Sequence, residues 1–170
     1  MAETLLVWMN LYAGGQEQVR ARLAGKPVLV FAPPELAGSG DGVADRQLRT
    51  DSGTGSPTFG GGPPMAAVVE KTRENVFKAR ITVGRTGNND LKLDDPSVSR
   101  FHAWLEPSGD AWVLVDAGSR NGTFVSGRRL AARAPARLAN AAAVRVGGVP
   151  LTFFTEQGFL EFLGQRAQGK

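Results

Sequence analysis

From residue 65 onward the chain alternates short apolar runs with turn-forming residues. Ala66–Glu70, Val76–Val83, Leu91–Leu93, His102–Leu105, Trp112–Asp116, Thr123–Val125, Ala142–Val146 and Leu151–Phe154 each have the length of a strand. Thr86-Gly87-Asn88-Asn89, Pro107-Ser108-Gly109-Asp110, Asn121-Gly122, Ser126-Gly127 and Gly147-Gly148 separate them. Such regular punctuation predicts an all-β sandwich of antiparallel strands, not parallel βαβ units. Thr155 then caps a final helix whose Phe159, Leu160, Phe162 and Leu163 form one apolar stripe.

The first 35 residues read differently. Leu5, Leu6, Trp8, Met9 and Tyr12 recur at helical spacing behind Thr4 as N-cap, and Gln16–Ala24 predicts a second short helix with Val19 and Leu23 on one face. Val28–Phe31 is a buried strand closed by Pro33-Pro34. Residues 36–64 carry eight glycines and three prolines with little apolar surface, the composition of a flexible linker. The expected organisation is therefore a small α/β flank over 1–35 packing on the main domain, a linker over 36–64, the sandwich over 65–157 and a C-terminal helix and tail over 158–170.

At 170 residues there is room for one ordinary domain with an appendage, and 42% hydrophobic residues suffice for its core. The absence of cysteine excludes disulfides, thiolate metal sites and cysteine nucleophiles, and a single histidine excludes a multi-histidine metal site. No cofactor or metal is expected. No apolar run approaches the length of a membrane span, and Met1–Tyr12, with Glu3 and no basic residue, makes a poor signal peptide. The expectation is a cytoplasmic protein that does not enter the membrane. The net charge of +4 hides an asymmetry. No acidic residue lies between Asp116 and Glu156, a stretch that holds Arg120, Arg128, Arg129, Arg133, Arg137 and Arg145. Such a block attracts phosphate, on nucleic acid or on modified protein.

Four loop groups put polar residues beside strand ends: Gly84-Arg85, Ser97–His102, Ser119–Thr123 and Ser126–Arg129. An enzyme reading fails on them. Ser99 and His102 with Asp94 or Asp95 imitate a triad, but a spacing of three in a strand points the serine and histidine to opposite faces. There is no nucleophile elbow, and Gly60-Gly61-Gly62-Pro63-Pro64 lacks the Lys-Ser/Thr of a P-loop.

In order and spacing these groups resemble the forkhead-associated (FHA) domain, a reader of phosphothreonine peptides. That family shows Gly-Arg, a hydrophobic strand, Ser-x-x-His, then Ser/Thr-x-Asn-Gly-Thr and a further Asn-Gly turn. Here they stand as Gly84-Arg85, Leu91-Lys92-Leu93, Ser99-Arg100-Phe101-His102 and Ser119-Arg120-Asn121-Gly122-Thr123, with Ser126-Gly127 in place of the last Asn-Gly. The resemblance implies an FHA-like antiparallel sandwich of eleven-strand type that performs no reaction. It implies that Arg85 and Ser99 bind phosphate, with Arg100 as a further cation. The guanidinium fork and short hydroxyl suit that task. It also implies that Asn121 holds the peptide backbone with Arg120 at the phosphate or the rim, and that Gly84, His102, Gly122 and Thr123 support the site. Trp104 and Trp112 read as core.

The expected partner is a phosphothreonine protein, either a substrate of a Ser/Thr kinase or such a kinase itself. The alternative is a non-catalytic scaffold or nucleic-acid binder using Arg128–Arg145, which lacks the interleaved aromatics and groove-reading helix of that class. Thr50, Thr54 and Thr58 in the linker offer a self-ligand: once phosphorylated, one of them would reach the domain's own site or that of a second copy.

Overall fold

The computed structural model describes residues 2–31, 63–73 and 75–169. The linker threonines Thr50, Thr54 and Thr58 lie outside the described residues, as do Pro33 and Pro34. Among the described residues twelve strands form two stacked sheets. The larger contains β1 (Ala2–Thr4), β2 (Val28–Phe31), β3 (Met65–Val68), β8 (Thr123–Val125), β9 (Arg128–Arg129), β11 (Ala142–Val146) and β12 (Val149–Phe154), in the order β1-β3-β2-β12-β11-β8-β9. The smaller contains β4 (Ile81–Gly84), β5 (Leu91–Lys92), β6 (Ala103–Ser108), β7 (Ala111–Asp116) and β10 (Pro135–Leu138), in the order β10-β7-β6-β4-β5. Every pairing is antiparallel except β4 with β5, where Val83 opposes Leu91 and Gly84 opposes Lys92 in parallel.

Alternation along the strands explains how one chain builds two cores. Leu29, Phe31, Ala67, Leu151 and Phe153 point between the sheets, where they meet Ile81, Val83, Ala103, Leu105 and Leu114 of the smaller sheet. Val28, Val30, Ala66, Val68 and Phe154 point the other way, under three helices: α1 (Leu5–Ala13), α2 (Gln16–Leu23) and α3 (Glu156–Ala167). Trp8 of α1 meets Phe159 of α3 edge-to-face at 5.5 Å. The near-continuous apolar runs of β2 and β12 follow from burial on both faces.

Residues 28–31, read as part of a flank, are therefore an internal strand of the larger sheet, paired with β3 on one side and β12 on the other. Both faces of Val28–Phe31 are apolar, and only a central position buries both. Thr4 stands at the N-cap of α1 but makes no capping bond with its side chain; it ends β1, opposite Met65. Thr155 does cap α3, its hydroxyl accepting from the Gly158 amide at 3.1 Å. Of the run Val76–Val83 only its end is strand; at its head the Asn75 side-chain Oδ1 accepts from the Phe77 amide at 2.9 Å in a side-chain-closed turn. Strands β9 and β10 escaped the pattern because they are short, mostly exposed edges. Trp112 is partly buried against the inter-sheet core, and Trp104 is buried as well, though on the outer face of the smaller sheet. It alternates outward from Ala103 and Leu105 and is covered on the outer face by Phe101 and Arg80.

Candidate functional site

Strand ends β4, β5 and β7 and the β11–β12 hairpin deliver loops to one end of the sandwich, and a dense set of hydrogen bonds stitches these loops together. The Arg85 amide donates to the Ser99 carbonyl at 3.0 Å and the His102 amide to the Val83 carbonyl at 2.9 Å. The Asn89 side chain donates to the Arg100 carbonyl at 2.7 Å, and the Thr86 hydroxyl donates to the same oxygen at 3.0 Å. So closely does this segment pass that a Cβ on Gly84 would lie 2.2 Å from the Arg100 carbonyl oxygen. Gly84 is required by approach, not by a left-handed φ.

Ser97 forms the second knot. Its hydroxyl donates to Asp95 at 2.6 Å and accepts from the Gly148 amide at 2.7 Å, while its carbonyl accepts from the Asn121 amide group at 2.8 Å. Gly147, at φ +59°, packs where a Cβ would stand 2.5 Å from that same carbonyl.

His102 is fully buried beneath the site. Its Nδ1 accepts from the Ser99 amide at 2.9 Å, so Nε2 carries the proton and donates to the Gly122 carbonyl at 3.0 Å. Burial lowers the pKa of the ring, against the Gly122 carbonyl and the Asp116 charge, which favour the cation. A neutral ring with one donor and one acceptor is what the two loops need. Asp116, at the end of β7, organises the next loop: one carboxylate oxygen accepts from the Gly118 and Ser119 amides at 2.8 and 2.9 Å, the other from the Ser119 and Thr123 hydroxyls at 2.5 and 2.6 Å. Burial works to raise its pKa, but these bonds outweigh it and hold the carboxyl below its usual value. Gly122, at φ +86°, completes the loop and passes under the Arg129 guanidinium.

The result is a cleft of about 340 Å³ lined by Arg85, Ser99, Arg100, Arg120 and Asn121, together with Pro96, Ser97 and Val98. All five residues that the sequence points to as ligand contacts meet here. Arg85 and Ser99 are half-buried; Arg100, Arg120 and Asn121 are exposed. Among the described residues no carboxylate pairs with the guanidinium of Arg85, Arg100 or Arg120. The Ser99 hydroxyl accepts from the Arg120 amide at 3.2 Å, which leaves its own proton to donate. Gly84, His102, Gly122 and Thr123 are buried beneath them.

Two readings need correcting. Residues 97–101 form a turn rather than a strand, so the face argument against a Ser99–His102 pair does not apply. The pair is nonetheless no triad, because His102 meets the Ser99 amide and not its hydroxyl. The supports Asp116, Ser97, Asn89 and Gly147 were missed. The signal for Asp116 was present: an aspartate at a strand end before Ala-Gly-Ser is a side-chain-closed turn. The Arg128–Arg145 block is divided among edge strand β9 of one sheet, edge strand β10 of the other and β11. Within it Arg137 pairs with Asp110 at 3.4 Å and Arg145 stacks on Phe124 at 3.7 Å.

At one end of a two-sheet sandwich, three guanidiniums without carboxylate partners among the described residues and one hydroxyl line a common cleft, an arrangement whose charge suits an anion. The FHA domain profile matches residues 81–147. The glycogen accumulation regulator GarA of Mycobacterium tuberculosis is 33% identical over 124 residues, covering 68% of this chain and 75% of that one. Its counterpart in Mycolicibacterium smegmatis is 39% identical over 74 residues, covering 44% of this chain and 45% of that one, so this chain spans less than half of the latter's length. The solution structure of an FHA domain from Arabidopsis thaliana shares the fold with a TM-score of 0.51 at 19% identity, over 78% of this chain and 87% of that one. This chain belongs to the FHA domain family. No helix among the described residues is long and apolar enough to cross a membrane.

Proposed function

We propose that the chain is a phosphothreonine-dependent protein–protein interaction module that acts by occupancy, as a signalling adaptor. One observation carries this reading: three guanidiniums without acidic partners among the described residues converge with a donor hydroxyl on one cleft. A phosphomonoester brings close to two negative charges and three acceptor oxygens, which such a set satisfies. In this reading Arg85, Ser99 and Arg100 take the phosphate. The side-chain carbonyl of Asn121, which accepts no bond among the described residues, and its second amide proton hold the peptide backbone, with Arg120 at the rim. The partner is a protein marked by a Ser/Thr kinase, or that kinase. A role as regulator, as in the GarA relatives, suits a module that binds without transforming its ligand.

The test is calorimetric titration with matched threonine and phosphothreonine peptides. Wild type should bind only the phosphorylated form. Arg85→Ala should lose roughly 2–5 kcal/mol, the range for removing one partner of a desolvated charge pair, while its melting temperature stays near wild type. Equal affinity of wild type and Arg85→Ala would refute the placement of the phosphate.

A further inference from the structure

Asn121, exposed on the wall of the cleft, is the one asparagine in the sequence that is followed by glycine. Ahead of glycine an asparagine side chain is open to attack by the next backbone nitrogen, because no Cβ shields that nitrogen. The Gly122 nitrogen bonds to Asn121 Cγ and the Cγ–Nδ2 bond breaks. The Gly122 amide proton leaves with the departing nitrogen as ammonia, and a cyclic imide remains. Water then opens the imide. Attack at Cγ gives aspartate, and attack at the main-chain carbonyl gives isoaspartate.

The fold restrains both reacting groups. The Gly122 amide donates to the Ser119 hydroxyl at 3.0 Å, and the Asn121 amide group donates to the Ser97 carbonyl at 2.8 Å. Ser119 is itself held on Asp116. The Gly122 carbonyl accepts from the Gly147 amide at 2.9 Å and from His102 Nε2 at 3.0 Å, so the glycine is tied at both of its backbone groups. Ring closure must break the bond to Ser119 and turn the Asn121 side chain away from Ser97. A bound peptide gripped by Asn121 adds a third restraint. The product does not suit the cleft. None of the residues lining it is acidic, and an aspartate at 121 would set a carboxylate among Arg85, Arg100 and Arg120, where it would occupy the cations and repel phosphate. Isoaspartate also adds a methylene to the backbone beside Gly122. That glycine is buried, and a Cβ on it would stand 2.7 Å from the Arg129 side chain.

We propose that Asn121 is a deamidation site that inactivates the unoccupied module: the loop bonds set its rate, ligand holds it off, and the product no longer binds phosphothreonine. Only the last clause rests on the reading of the cleft given above. The test incubates the full chain in warm, mildly alkaline buffer. Mass spectrometry follows the acid form of the tryptic peptide 121–128, and matched samples are titrated with a phosphothreonine peptide. Folded wild type should convert slowly and the urea-unfolded chain fastest. Ser119→Ala, verified as folded by its melting, should convert roughly two- to tenfold faster than wild type, the worth of one hydrogen bond. Saturating phosphothreonine peptide should slow the wild type, and affinity should fall in step with conversion. Asn121→Asp, the product made directly, should bind more than about tenfold more weakly. No conversion in folded wild type while the unfolded chain converts, or equal rates for wild type and a folded Ser119→Ala, overturns the site. Conversion that ligand does not slow, or that leaves phosphopeptide binding intact, overturns the inactivation. Failure of fresh wild type to bind the phosphothreonine peptide overturns the reading of the cleft and the last clause with it, while the rates still decide the rest.

Discussion

Gly84→Ala is the sharpest test of how the cleft is held. The added methyl would stand 2.2 Å from the Arg100 carbonyl oxygen, 2.6 Å from the Asn89 side-chain nitrogen and 2.9 Å from the Arg100 carbonyl carbon. Ordinary contact requires the Arg100 peptide to retreat by roughly 1 Å. It cannot do so freely, because its carbonyl is bonded by Asn89 and Thr86 and its neighbours are tied at Ser99 and His102. Overpacking costs about 1–3 kcal/mol and each weakened hydrogen bond about 0.5–1.5, so the substitution should cost roughly 2–5 kcal/mol. A 3 kcal/mol loss lowers the melting temperature of a chain this size by about 6–12 °C. Arg85 and Arg100 flank the displaced segment, so phosphopeptide affinity should fall with it. Gly87→Ala is the internal control. It lies on the same turn, has no left-handed φ, and its added methyl would meet no atom within 4 Å, so it should be neutral in both assays. Thermal denaturation with peptide titration decides the matter. If Gly84→Ala melts within a degree or two of Gly87→Ala, the close approach does not constrain the site.

Three further outcomes follow from the same geometry. The buried His102 has its pKa lowered by burial, so the unfolded ring takes a proton near its ordinary value of about 6.5 and the folded ring only at lower pH. Stability should be level above that value and fall as pH drops through the interval, a slope absent from His102→Gln; identical wild-type melting at pH 8 and pH 5.5 would contradict it. Asp116→Ala removes the acceptor of four bonds and should cost on the order of 3–5 kcal/mol by urea unfolding while loosening the 117–123 loop. Its carboxyl lies below the ordinary value in the fold, so its contribution is present above that value and is lost as pH falls through the folded pKa. Ser126 occupies the left-handed region at φ +49° beside Gly127 at +78°, a hairpin turn that asparagine adopts more readily; Ser126→Asn should raise stability by about 0.5–1 kcal/mol, and an unchanged or lower melting temperature would count against this account.

Much of this was legible along the chain. Period-two apolar runs broken by Asn-Gly and Gly-Gly pairs specify half-buried strands and their hairpins locally, so the all-β class and most strands could be read directly. The spacing of Gly84-Arg85, Ser99, His102 and Asn121 pointed to one set of loops because each group sits at a strand end. Other features depend on what comes to lie opposite. Val28–Phe31 is apolar on both faces, but only its pairing between β3 and β12 shows that it is central to the sandwich. Nothing in Gly84 itself reveals that the Arg100 carbonyl will pass within contact of it, since the two meet only after β4 and the 97–101 turn are folded together. The neutral state of His102 and the anchoring role of Asp116 likewise arise from burial and from partners distant in sequence. The outward stack of Phe77, Phe101 and Trp104 is of the same kind: a local pattern marks these residues as apolar, and only the sheet decides which side of it they cover. Local sequence sets backbone preference and side-chain period, which act over a few residues; register, close approach and electrostatic environment are set by long-range pairing, which exists only in the folded chain.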